Sequence, residues 1–249
     1  MAIAHEDAPK PSGGAGPNQA GHEHSELDLE KSVSAAPMAN NHHALVHPFL
    51  AHMGMPDGPG EINARIMSIE ERNAGVASGT YGFHIEAGII DRLGLHLRND
   101  SIRTHSATEM MLQYAVLRSD DGLSGISVIG EVEFPTGSTA DNRTKGLYGI
   151  SFAYLQIPIF AINSVVHYNP VEKMVEWEIS FVARMTQKIF PVLELSGVSG
   201  QDMSFANALF AWKFKIPNDK AFGVGYRLPI TKVREFESQL VLQAEFGFE

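Results

Sequence analysis

The chain has 249 residues, 44% of them apolar, a formal net charge of −10 and no cysteine. The acidic balance leaves no basic face for a nucleic-acid backbone. The missing thiols exclude disulfides, thiolate metal sites, covalent haem attachment and cysteine nucleophiles together.

Residues 1–57 are rich in Pro, Gly, Ala, Asn and His without sustained periodicity. Such composition buries too little apolar surface to offset the entropy of ordering, so this region reads as a flexible, low-complexity arm. Ala2-Ile3-Ala4 has the small-x-small form of a leader-cleavage site, but no apolar stretch precedes it. By themselves these residues read as an ordinary start, and the case for export rests on the rest of the chain. His22 and His24, with His42 and His43, offer imidazoles suited to Zn²⁺ or Cu²⁺. The competing reading is a solvated arm with incidental histidines. Residues 44–55 hold the main apolar run of the arm. Leu45, Val46, Phe49 and Leu50 are expected to pack into or against the mouth of whatever follows and to narrow it.

From about residue 58 to 249 apolar and polar residues alternate in blocks of roughly ten, the period of a β-strand whose successive side chains take opposite faces. About twelve strands follow from this pattern. They begin near Glu61, Thr80, Arg92, Ser106, Leu123, Lys145, Ala161, Met174, Lys188, Ser204, Lys220 and Phe236. The last block sets Leu240, Leu242, Ala244, Phe246 and Phe248 against Gln239, Val241, Gln243, Glu245 and Gly247. Connections are expected to alternate: tight at Asp91-Arg92, 119–122, 186–188 and 217–220, longer at 72–79, 99–105, 136–145 and 197–203. Residues 147–166 are long enough for a membrane helix. However, Gln156, Pro158, Asn163 and Ser164 interrupt them, and two strands with a tight turn is the better reading.

A soluble β-sandwich also alternates, one face inward and one to water. Strand length favours the membrane: about ten residues cross a tilted hydrocarbon core, against five or six in soluble sheets. The expectation is therefore all-β, a closed antiparallel transmembrane barrel of about twelve strands. Its outward aromatics, Tyr81, Tyr114, Trp177, Trp212, Tyr226, Phe246 and Phe248, would form interfacial girdles.

The opposite face carries the charges. His84, Glu86, His96, Arg98, Glu131, Glu133, His167, Glu176, Glu178, Arg184, Glu194, Lys213, Lys215, Arg227, Gln243 and Glu245 are expected to line the lumen. Strand direction puts Glu131, Glu133, Glu176 and Glu178 near the external mouth and Arg184, Lys213 and Lys215 near the periplasmic one. That arrangement predicts an acidic outer half and a basic inner half, unless salt bridges with Arg98 and Arg227 cancel the field. No serine motif accompanies the inward histidines, and no Gly-rich phosphate loop opens a helix. Neither an enzyme nor a cofactor is expected.

Two segments carry a family resemblance. One is His47-Pro48-Phe49-Leu50-Ala51-His52-Met53-Gly54-Met55-Pro56-Asp57, ahead of the first strand. The other is Glu133-Phe134-Pro135-Thr136-Gly137, where a strand runs out into a longer loop. With the aromatic last strand, they make residues 47–249 resemble the outer-membrane transporter family associated with the meta-pathway of phenol degradation. The resemblance implies an outer-membrane β-barrel that moves small, often aromatic, molecules. Glu249 after Phe248 departs from the common ending on the aromatic itself. The expected function is passive passage of small hydrophobic or aromatic solutes through a bacterial outer-membrane channel whose arm lies in the periplasm. Outer-membrane lipid and the barrel-assembly machinery, through the C-terminal strand, are the implied partners. The alternative is a structural barrel that anchors a periplasmic or metal-binding partner through the His-rich arm.

Overall fold

The computed structural model describes residues 43–102, 107–136, 143–156, 159–201 and 203–248. A short helix α1 (His43–Val46) precedes β1 (Ile62–Asn73), β2 (Val76–Ile90), β3 (Leu93–Asn99), β4 (Ala107–Arg118), β5 (Gly125–Pro135) and β6 (Lys145–Gln156). Then come β7 (Phe160–Asn169), β8 (Met174–Ala183), β9 (Ile189–Ser199), β10 (Ser204–Ile216), β11 (Lys220–Pro229) and β12 (Ser238–Phe248). Each strand pairs antiparallel with its sequence neighbours, and β1 closes on β12 from Ile62↔Phe248 to Arg72↔Ser238. Closure leaves no unpaired sheet edge, the condition under which strands can stand in hydrocarbon.

Alternation decides what each face meets. Outward positions such as Ile66, Ile85, Leu112, Val128, Ile150, Phe210 and Leu242 are exposed all around the barrel. A soluble monomer does not present so continuous an apolar belt, whereas a lipid-facing wall requires it. Tyr81, Tyr114, Trp212, Tyr226 and Phe248 are exposed on this outer face, and Trp177 and Phe246 are half-buried. No helix among the described residues is long and apolar enough to cross a membrane, and the 147–166 stretch is β6 and β7. The structure is a closed transmembrane barrel of twelve antiparallel strands.

The belt makes a direct prediction. Leu242 is 41% exposed on the outer face. Leu242→Arg should destabilise the barrel by about 2–4 kcal/mol if the residue stands near the bilayer midplane, while Leu242→Phe should be close to neutral. Equal urea midpoints for the two variants in a liposome refolding assay would contradict a lipid-facing position.

Most strand starts fall within about two residues of the alternation pattern. The first connection does not: instead of the long loop expected at 72–79, Ala74-Gly75 joins β1 to β2. Both have positive φ, 49° and 77°, the backbone of a two-residue hairpin turn matched to strand twist. Ala77-Ser78-Gly79, weak strand formers, are carried in register opposite Arg72, Glu71 and Glu70. The 197–203 connection is also shorter than expected, because β9 runs on to Ser199. The long connections are 100–106, 136–144 and 230–237, all on one rim; the β1–β2, β7–β8 and β9–β10 turns share that rim. The other rim carries the start of β1 and the end of β12.

Candidate functional site

Residues 43–61 are neither arm nor strand. They fold into the lumen, and the inward side chains of the wall hold their backbone. Helix α1 lies at the rim where β1 begins: Leu45 and Val46 share an apolar cluster with Leu155, Ala161, Val182 and Phe190, all near strand ends on that rim. The chain then rises to His52, beside Arg98, Glu109 and Glu178. It returns past Asn163, Ser127 and Gly94 to pair Gly60 and Glu61 with Gly88. The result is a fold-back loop with His52 at its apex.

A buried loop carries backbone groups that must find partners. The Glu194 carboxylate accepts from the successive amides of Phe49, Leu50 and Ala51, at 2.5, 2.8 and 3.2 Å. Arg65 donates through one nitrogen to the carbonyls of Pro48, Phe49 and Ala51, and Lys213 donates to that of His47 at 2.9 Å. Asn163 bridges the loop, accepting from Gly54 N–H and donating to Val46 C=O. Gln113 donates to Met53 C=O. The Phe49 ring lies over Gly223 and Gly225 of β11, where any Cβ would press into it. Gly54 runs so close to β6 that a side chain there would collide with the Phe152 carbonyl.

The side chains expected in the lumen divide into two groups. Near the β1 rim, Glu86 Oε1 lies 2.7 Å from Arg65, 3.3 Å from His84 Nε2 and 3.4 Å from His96 Nδ1. Glu86 Oε2 lies 3.2 Å from His47, which also contacts Asn63. Lys213 pairs with Glu245 at 2.7 Å, both buried. Gln243 is buried on the same wall. His84, Glu86 and His96 bring ligand atoms together as a metal site would. There, however, the Arg65 guanidinium already supplies the cation, since it also donates to His84 Nδ1 at 2.6 Å.

Beyond the loop apex a cavity of about 220 Å³ is lined by Arg98, Asp100, Glu109, Glu131, His167, Glu176, Glu178 and Arg227, among others. Arg98 binds Asp100 at 2.5 Å and Glu178 at 3.2 Å, and Arg227 donates to Ser196 at 2.8 Å. Burial opposes the Asp100 charge, but the Arg98 guanidinium outweighs it and holds that carboxyl below its ordinary value. Glu133 shares Lys145 with Glu172. Arg184 stands just past β8 with its guanidinium over the Phe190 ring, and Lys215 lies 3.9 Å from Asp219.

These positions correct the expected division into an acidic and a basic half. The β1-rim half holds Asp57, Glu86, Glu194 and Glu245 together with Arg65, Arg184, Lys213 and Lys215, so both signs are mixed there and it is not basic. The half beyond the loop apex keeps its acidic excess, although Arg98 offsets part of it. Parity misled because it fixes a side chain's face and height but not its cross-lumen partner. Arg65 and Glu109 were absent from the expected set, although both occupy inward positions of alternating strands, between Asn63 and Met67 and ahead of Met111. His22, His24 and His42 lie outside the described residues, as does the side chain of His43.

No protein-family model and no curated protein sequence matches the chain. Solved structures do. An outer-membrane channel from Pseudomonas putida F1 superposes with a TM-score of 0.57 at 9% identity, over 78% of this chain and 97% of its own. The NanC porin gives 0.55 at 9% identity, over 76% and 99%. The KdgM porin, solved in complex with disordered oligogalacturonate, gives 0.55 at 10% identity, also over 76% and 99%. At such low identity the likeness shows the fold alone: this chain has the barrel fold of outer-membrane channels.

Proposed function

We propose that the protein is a channel of the bacterial outer membrane that passes small solutes, with residues 1–42 in the periplasm and the fold-back loop as its plug. One observation carries the reading: a lumen dense in ionisable and hydrogen-bonding side chains stands inside a wall that is apolar all around. A purely structural barrel has no need of a solvated, charged cavity above its packed half. The shared fold with outer-membrane channels supports the reading. Planar-bilayer recordings on the purified full chain test it, and absence of any conductance across the accessible voltage range would refute it.

The cavity lining fits a small solute with an aromatic or otherwise apolar body and a neutral or cationic polar group. Val165 and Phe205 offer contact to the body, and the carboxylates face the polar group. Carboxylates set in a low-dielectric wall focus a field that repels anions. Neutralising Glu131, Glu133 and Glu176 together to Gln should therefore shift the reversal potential in a salt gradient toward anion selectivity. An unmoved reversal potential would remove the cavity from the conduction path. The last strand, ending in Phe246 and Phe248, is the segment we assign to recognition by the assembly machinery.

A second reading has one observation in its favour, the close packing of the loop within the lumen. It makes the barrel an anchor that presents the His-rich arm to a periplasmic or metal-binding partner. Deleting residues 1–42 separates the two: a channel keeps its conductance, and an anchor loses its partner.

A further inference from the structure

At the loop apex a buried histidine stands between two carboxylates. His52 Nδ1 lies 2.9 Å from Glu178 Oε2. An ionised carboxylate can only accept, so Nδ1 carries the proton, and in the neutral ring Nε2 presents a lone pair. Arg98, 3.1 Å from the same Nδ1, finds its acceptor in the other Glu178 oxygen at 3.2 Å. His52 Nε2 is buried without a hydrogen-bond partner and faces Glu109 Oε2 at 3.8 Å. A lone pair thus points at a carboxylate oxygen.

Glu109 also belongs to a cluster of carboxylates. Oxygens of Glu109, Glu131 and Glu133 lie within 4.8 Å of one another. His167 lies with its ring centroid 5.7 Å from that of His52 and its Nδ1 3.3 Å from Glu131 Oε2, and its Nε2 is buried without a hydrogen-bond partner. Two ligands that each stand about 2.0–2.2 Å from one tetrahedral ion are separated by about 3.3–3.6 Å. The His52–Glu109 gap is a few tenths of an ångström wider, within the reach of a side-chain adjustment.

We propose that a divalent metal ion, Zn²⁺ foremost, binds at the floor of the cavity beyond the loop apex through the carboxylates of Glu109, Glu131 and Glu133, with His52 Nε2, 3.8 Å from Glu109, closing on the ion by side-chain adjustment. Imidazole with carboxylate selects the borderline first-row ions over Mg²⁺ and Ca²⁺, which prefer oxygen alone. Glu178 supports the site by holding the far nitrogen of the imidazole, the usual way a ligating histidine is oriented. The ion offsets an acidic excess that Arg98 and Lys145 leave incomplete. Because His52 belongs to the loop while Glu109 and Glu131 belong to β4 and β5, the ion ties the loop to the wall.

The test is isothermal titration of the full-length protein in detergent with ZnCl₂. The arm's imidazoles are first silenced by His5→Asn, His22→Asn, His24→Asn, His42→Asn and His43→Asn. One zinc per chain should remain in that background, unaffected by millimolar Mg²⁺. His52→Asn and, separately, Glu109→Gln should each weaken it by about tenfold or more. Glu109 is half-buried, so its amide variant keeps the test available if the His52 variant does not fold. Loss of all zinc binding in the silenced background, or unchanged affinity in both variants, overturns the site. The readout is binding, so its failure is distinguishable from failure of the channel reading.

Discussion

Arg65→Met should destabilise the barrel by about 3–5 kcal/mol, the cost of leaving a buried charge without its partner. Arg65 is 1% exposed and sits on β1, where the register places it opposite His84 and beside Glu86. Its guanidinium serves three loop carbonyls with one nitrogen and His84 and Glu86 with another. Removing it orphans those carbonyls and leaves the Glu86 carboxylate without its guanidinium partner. The double variant Arg65→Met/Glu86→Gln should recover part of the loss, because the stranded charge goes with it. Urea titration of the liposome-folded barrel measures both. A single variant within 1 kcal/mol of wild type, by about the usual size of a surface effect, would show that the ion pair does not hold the loop.

Truncation through His52 should raise single-channel conductance several-fold. The deleted residues include Phe49, whose ring covers Gly223 and Gly225, and the amides that occupy Glu194. Without them Glu194, Arg65 and Lys213 face water, and the β1-rim half of the lumen opens into the outer cavity. Glu194→Ala in the intact chain should act in the same direction with smaller effect. It leaves three adjacent amides unsatisfied, and so favours the withdrawn loop without removing it. Wild-type conductance in the truncated barrel would mean that solutes do not pass through the space the loop fills.

Period-two alternation made the barrel legible. Leu240, Leu242 and Phe248 against Gln239, Gln243 and Glu245 show which face meets lipid, and the same parity finds most lumen side chains. What parity cannot show is the filling of the interior. Gln243 reads from sequence as a lumen-lining position, yet it is 2% exposed in the packed half of the lumen. The loop itself lacks any period. Its fit depends on side chains from seven strands, most of them far away in sequence: Arg65, Gln113, Ser127, Asn163, Glu178, Glu194 and Lys213, with the bare backbone of Gly223 on an eighth. His47 and His52 were visible as residues of a histidine-rich arm, but their neighbours Glu86 and Glu178 arrive only with the register. The Ala74-Gly75 turn escaped for a local reason: the small residues Ala77-Ser78-Gly79 just after it imitate a loop.

The fold-back course of residues 43–61 has a topological consequence. The segment enters and leaves by the same rim, with α1 among the strand ends there and Gly60 paired to Gly88. A hairpin of this kind moves in and out of a ring without threading a free end. Whatever precedes residue 43, however bulky, never has to cross the barrel for the loop to be seated or withdrawn, and no knot or slipknot is made or undone. The barrel can therefore close first, β12 on β1, and receive its plug afterwards.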